Sequence, residues 1–214
     1  MKAKLIVFDF DGTLVDSKAI FIGLYNELAS QKGYILLDTE NIHYLRSLTI
    51  KQRCYYLGIP LYKIPFVATY LIKKFHASID NLQFNKGMKT LLKSLQTKDY
   101  TYSIASTNAK KNIQTFFEIQ VVIAPEIYTS SKVFGKDVLL RRLLKDRKLQ
   151  PDEVIYIGDE ARDVTACRKC GIPVVWVSWG YDSAEAIAKT PPDHTVNTPE
   201  QLQELIQQLV SAQG

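Results

Sequence analysis

Leu5-Ile6-Val7-Phe8-Asp9-Phe10-Asp11-Gly12-Thr13-Leu14-Val15-Asp16-Ser17 begins with four apolar residues in a row and then turns acidic. An apolar run with no polar alternation is the pattern of a strand buried on both faces, which is how parallel sheets bury their strands. Asp9 and Asp11 are two apart. If the strand geometry continues through Phe10, both carboxylates point to one side, with Phe10 pointing away. Carboxylates packed this closely repel unless a cation holds them or one keeps its proton, which is why such pairs occur at reactive sites. Gly12 and Thr13 permit a tight turn whose backbone N–H groups can face an anion.

Similar short runs recur at Tyr102 to Ala105, Val121 to Ile123, Val154 to Ile157 and Val174 to Val177. Helical patterns lie between them, at Gly87 to Leu95, Asn108 to Phe117, Asp137 to Leu149 and Asp163 to Cys170. This alternation predicts an α/β fold, a doubly wound, Rossmann-like parallel sheet. Residues 17–85 break the rhythm with helical stretches at Ala19 to Ser30 and Phe66 to Ile79, punctuated by Pro60 and Pro65. They read as an inserted helical subdomain, leaving 1–16 and 86–214 as the core. Thr198 followed by Leu202, Leu205, Ile206 and Leu209 predicts a closing helix over Pro199 to Val210.

The chain has 214 residues, 46% hydrophobic and 23% charged, an ordinary globular balance. Three cysteines form no disulfide framework, and the apolar run at the N-terminus is too short for a signal peptide, so a cytoplasmic protein is expected. No stretch approaches the roughly 20 apolar residues that cross a bilayer. Residues 17–85 carry eight Lys/Arg against four Asp/Glu, and the rest of the chain nineteen against eighteen, so most of the net charge of +5 sits in the insertion. No aromatic-basic stripe accompanies it, and nucleic acid is not an expected partner. Cys167 and Cys170 have Cys-x-x-Cys spacing but fall in a helical pattern with no second pair, which argues against zinc.

Open parallel sheets bind ligands at the carboxyl ends of their strands. Past those ends stand Asp9 and Asp11, then Ser106 and Thr107, then Asp159 and Asp163, with Lys132 and Lys136 ahead of a helix. The string Asp9 to Ser17, the early helical insertion, the hydroxyl after the next strand, the lysine and Gly158-Asp159-Glu160-Ala161-Arg162-Asp163 occur in that order. Together they resemble the haloacid dehalogenase-like (HAD) hydrolase superfamily, especially its phosphoglycolate-phosphatase-like branch, over most of the chain.

The resemblance implies a phosphatase in which Asp9 attacks phosphorus to form an aspartyl phosphate. It makes Asp11 the acid that protonates the leaving oxygen and then the base for water; dehalogenases of the superfamily lack an aspartate at this place. Asp9, Asp159 and the carbonyl of Asp11 would supply oxygen ligands for Mg²⁺, with Asp163 ligating through water, orienting Asp159 or capping a helix. The phosphoryl group would meet Gly12, Thr13, Ser106, Thr107, Asn108 and a lysine. Ser106 aligns with the family position better than Thr107. Lys136 is preferred to Lys132 because Gly135-Lys136 resembles the glycine-lysine start of the family helix, although the usual Lys-Pro pair is absent. The insertion would be a cap that selects a small phosphorylated metabolite, its charge favouring an acidic one such as 2-phosphoglycolate. A sugar-phosphate phosphatase or phosphomutase of the superfamily, or a non-catalytic phospho-ligand-binding protein, shares these features. Oligomeric state is not legible in the sequence.

Overall fold

The computed structural model describes residues 3–130 and 135–210. Six strands, β1 (Leu5–Phe8), β2 (Tyr102–Ser106), β3 (Glu126–Thr129), β4 (Val154–Gly158), β5 (Val174–Val177) and β6 (His194–Val196), form one sheet in the order β3-β2-β1-β4-β5-β6. Every pairing is parallel. Val7 stands opposite Ser103 on one side and Tyr156 on the other, so the carboxyl ends of β1, β2 and β4 lie level. The chain fills one side of β1 with β2 and β3, then crosses to the other, and this reversal opens a crevice above β1.

Successive residues of β1 face opposite layers. Ile6 and Phe8 join Leu91, Leu92, Phe116 and Phe117 in one apolar cluster, whereas Leu5 and Val7 join Leu139, Leu143, Val164 and Cys167 in the other. Full burial of each such side chain is worth about 1.5–3 kcal/mol, and a polar residue on either face would have lost that. Cys167 and Cys170 pack as apolar residues and are free thiols.

Between β1 and β2 come α1 (Lys18–Lys32), α2 (Ile42–Arg46), α3 (Ile50–Tyr56) and α4 (Ile64–His76). Tyr25, Ala29, Leu45, Leu57, Ile59 and Leu71 form an apolar cluster of their own. Helix α1 stops at Gly33, whose left-handed φ of 69° lets its N–H return to Ala29 O. Pro65 occupies the first turn of α4, where a missing N–H costs nothing. The segments entering and leaving this helical unit pair with each other: Asp16 N–H donates to Gln83 O at 3.0 Å and Asn85 N–H to Leu14 O at 2.9 Å. The remaining helices are α5 (Met88–Thr97), α6 (Lys110–Ile119), α7 (Lys136–Arg147), α8 (Ala161–Cys170), α9 (Ala184–Ala188) and α10 (Pro199–Val210).

The sequence expectation of a strand at Val121 to Ile123 is corrected. Val121 takes a positive φ of 52° just after α6, and Val121 and Ile123 are 85% and 79% exposed. Only Val122 turns inward to the core. The strand comes later, as β3, an edge strand whose first residue is exposed and therefore polar. The short edge strand β6 follows Thr190-Pro191-Pro192-Asp193, which reads as loop alone.

Candidate active site

Asp9 sits one residue past β1, its N–H donating to Ile157 O at 2.8 Å and so continuing the ladder to β4. Its Oδ1 accepts the N–H of Phe10 at 2.8 Å, and its Oδ2 accepts Lys136 Nζ at 2.7 Å. Lys136, the first residue of α7, is 3% exposed and also donates to Asp163 Oδ1 at 2.5 Å and to the Tyr156 hydroxyl at 2.9 Å. All three protons of this ammonium therefore have acceptors. Lys132, the alternative lysine, lies outside the described residues.

Asp11 faces the same crevice, its Oδ2 held by Asn108 Nδ2 at 2.9 Å. Its Oδ1 is buried with no partner among the described residues. Ser106, at the end of β2, accepts the N–H of Asn108 at 3.1 Å, and Asn108 is fixed in turn by Asn112 Nδ2 at 2.8 Å. Thr107 lines the cavity above them. Gly12 adopts φ 80°, and a Cβ there would collide with the carboxylate of Asp159 and the ring of Tyr181. Thr13 Oγ1 donates to Asp159 Oδ1 at 2.7 Å, so the structure places this hydroxyl against a carboxylate.

Asp159 Oδ2 accepts the N–H of Tyr181 at 2.7 Å, and Asp163 Oδ2 accepts that of Glu160 at 3.2 Å. Carboxylate oxygens of Asp9, Asp159 and Asp163 lie within 4.8 Å of one another, all buried. The Asp11 carboxylate is not part of that group, which leaves its backbone carbonyl as the atom that would serve. Burial raises the Asp9 carboxyl to about 7 despite the pull of Lys136. Burial also raises Asp11, and raises Asp159 well above the aspartate range with help from Glu160 and Asp163. Burial alone would lower the Lys136 ammonium, but Asp163 and Asp9 together outweigh it and hold it above the ordinary lysine value. Three clustered carboxylates, of which only Asp9 and Asp163 bond the ammonium, offer hard oxygen donors that fit a divalent cation such as Mg²⁺.

The structure thus brings Asp9, Asp11, Gly12, Thr13, Ser106, Thr107, Asn108, Lys136, Asp159 and Asp163 to one end of the sheet. It adds residues that the sequence reading passed over. Tyr156 holds Lys136 from inside β4, and a hydroxyl within an otherwise apolar buried strand is a signal for such a partner. The segment Trp179 to Ser183 follows β5, so the same strand-end rule reaches it. Trp179 Nε1 donates to Thr13 O at 3.0 Å, and the Tyr181 hydroxyl lies 2.7 Å from Ser17 Oγ.

That segment also carries the helical unit. Arg46 donates to the carbonyls of Tyr181 at 3.0 Å and Gly180 at 3.1 Å, Lys18 Nζ to Trp179 O at 2.7 Å, and Arg53 forms an ion pair with Asp182. Asp182 Oδ2 accepts the N–H of Ala161 at 2.7 Å, at the start of α8. Between the helical unit and the sheet lies a cavity of about 350 Å³ with Asp9 and Asp11 in its wall. Among the described residues no helix is long and apolar enough to cross a membrane.

A family model described as haloacid dehalogenase-like hydrolase matches residues 6–177. A phosphoglycolate phosphatase from Synechococcus elongatus is 30% identical over 210 residues, 96% of this chain and 98% of its own. Among solved structures, a haloacid dehalogenase-like family hydrolase from Streptococcus pneumoniae matches with a TM-score of 0.79 at 22% identity, covering 96% of this chain and 99% of that one. An HAD family hydrolase from Deinococcus radiodurans, with bound phosphate and sodium, matches with a TM-score of 0.71 at 18% identity, covering 97% and 96%.

Proposed function

The chain belongs to the haloacid dehalogenase-like hydrolases and is a phosphoric monoester hydrolase, and from that premise we propose that it is a Mg²⁺-dependent phosphatase working through Asp9. Residues 1–16 and 86–214 form the catalytic core, and residues 17–85 the cap that keeps water out during the first transfer. The observation that carries this reading is the pairing of a buried Asp9, gripped by Lys136 and the Phe10 N–H, with Asp11 two residues on along the same cavity.

In the first step an Asp9 oxygen attacks phosphorus, the ester P–O bond breaks, and Asp11 donates its proton to the departing alcohol oxygen. The upward shift of Asp11 suits it to arrive protonated, and Asn108 aims its carboxyl. In the second step Asp11 takes a proton from water, whose oxygen attacks phosphorus, and the P–O bond to Asp9 breaks to release phosphate. Ser106, Thr107 and the Thr13 N–H receive the phosphoryl oxygens, with Gly12 and Asn108 shaping the turns around them through bonds to Val15 O and Ser106 Oγ, while Lys136 holds the attacking carboxylate and offsets the incoming charge. Asp9, Asp159 and the Asp11 carbonyl would hold the Mg²⁺, with Asp163 behind them. When bound, the ion would neutralise phosphoryl charge and polarise phosphorus.

The expected setting is the cytoplasm and the expected ligand a small phosphate ester. 2-Phosphoglycolate enters as the compound named for the Synechococcus relative. The test is inorganic phosphate release from a panel of monoesters with and without Mg²⁺. Metal-dependent release in the wild type and its loss by at least about a thousandfold in Asp9→Asn, with an unchanged melting profile, is the expected result. Turnover retained in Asp9→Asn removes Asp9 from its role.

A further inference from the structure

Resting on the phosphatase reading, we infer that the alcohol half of the substrate is apolar: the site takes phosphate esters of alkyl or aryl alcohols in preference to those of short hydroxy acids. The cavity continues from Asp9 and Asp11 into the helical unit, and there its wall is mostly carbon, with Phe21, Ile22, Ile42, Ile50, Val67 and Ile72 among the residues around it. Phe21 and Ile72 are 37% and 38% exposed, apolar surface that a ligand would cover. The hydroxyl of Tyr25, a polar group in that wall, is turned to Ile35 O at 2.8 Å. A volume of about 350 Å³ falls within the roughly 300–1,000 Å³ that buries drug-sized ligands. A two-carbon acid leaves most of it empty.

A carboxylate on the leaving group needs a cation, and each cation at the wall has protein acceptors. Lys18 donates to Trp179 O; Arg46 to the carbonyls of Gly180, Tyr181 and Asp182; Arg53 to those of Leu45 and Arg46 as well as to Asp182; and Arg162 to Glu160. A carboxylate at this wall would therefore share its cation with the protein rather than have one to itself. The positive excess of residues 17–85 does not change this, because Lys32, Lys51, Lys63, Lys73 and Lys74 lie away from the cavity. An apolar leaving group thus departs from the sequence expectation that this charge favours an acidic metabolite such as 2-phosphoglycolate.

The experiment is a homologous series, ethyl to hexyl phosphate, run beside 2-phosphoglycolate with Mg²⁺. Each methylene taken into the chamber is expected to raise kcat/KM about two- to fourfold, with hexyl phosphate well above 2-phosphoglycolate. A flat series with 2-phosphoglycolate ahead overturns the inference and leaves the phosphatase reading standing. Alkylphosphonates, which cannot be hydrolysed, read the chamber separately: the thermal shift they cause should grow with chain length. Silence in turnover with that growth retained defeats the phosphatase reading alone; no growth in either measurement defeats the inference. Ile50 is the first residue of α3, where an aspartate suits the helix end, so Ile50→Asp charges the chamber without breaking the helix. It should flatten the series, and Ile50→Val should keep it steep; a steep series in Ile50→Asp counts against the chamber.

Discussion

Lys136 joins three acceptors that no short stretch of sequence contains: Asp9, Tyr156 and Asp163. Removing one partner of a buried ion pair costs about 3–5 kcal/mol, because the remaining charge stays dry and unpaired. Lys136→Met should accordingly lower the melting temperature sharply, and Mg²⁺ should restore more stability to the variant than it adds to the wild type, since the ion then supplies the missing positive charge. Equal Mg²⁺-induced shifts in calorimetric melts would show that the ion and the ammonium do not share those carboxylates. Gly180 makes the opposite kind of argument, from space rather than charge. A Cβ there would overlap the side chain of Asp159, so Gly180→Ala should cost about 1–3 kcal/mol by overpacking and weaken Mg²⁺ binding in a calorimetric titration. Wild-type affinity in that variant would remove Asp159 from the ligand set.

Among the elements, the loop after β5 is the join between the helical unit and the sheet. Arg53 and Asp182 form its ion pair, with side chains 21% and 8% exposed, between the weak surface case and the fully buried one. A double-mutant cycle of Arg53→Ala and Asp182→Asn should return a coupling of about 1–2 kcal/mol; additive melting shifts would mean that Arg46 and Lys18 hold the join alone. That loop was hard to read because much of its work is done by backbone carbonyls and by Tyr181 N–H, groups that every residue carries. The central strands β1, β2, β4 and β5 were legible because both their faces are buried. The edges β3 and β6 were not, since one side of each meets solvent and polar residues enter, while the apolar Val121 and Ile123 stand in water. At the site, Asp9, Asp11, Ser106 and Asp159 were legible as polar groups just past buried strands. Tyr156 lay hidden inside one, and the choice of Lys136 turned on the glycine before it.

For the whole molecule, the proposed cation binding would be linked to folding. A ligand that binds only the folded chain, at a hundred times its dissociation constant, adds about 2.7 kcal/mol. Chelator should lower the melting temperature and added Mg²⁺ raise it in proportion to the logarithm of its concentration; a melt indifferent to both would contradict a cation at Asp9, Asp159 and Asp163. The strand order has a consequence in time as well. Of these six strands β1 is synthesised first, and β2 reaches it after about a hundred residues, but its other neighbour, β4, begins only at Val154. At about 5–20 residues per second, Leu5 to Phe8 wait roughly 8–30 s with one backbone edge open, and an apolar edge of that kind invites pairing with other chains. Slower growth in the cold, or a holdase supplied alongside, should raise the soluble yield of newly made protein without altering the stability of the finished fold. The same central strand that organises the mature molecule makes its synthesis the period of greatest exposure to aggregation.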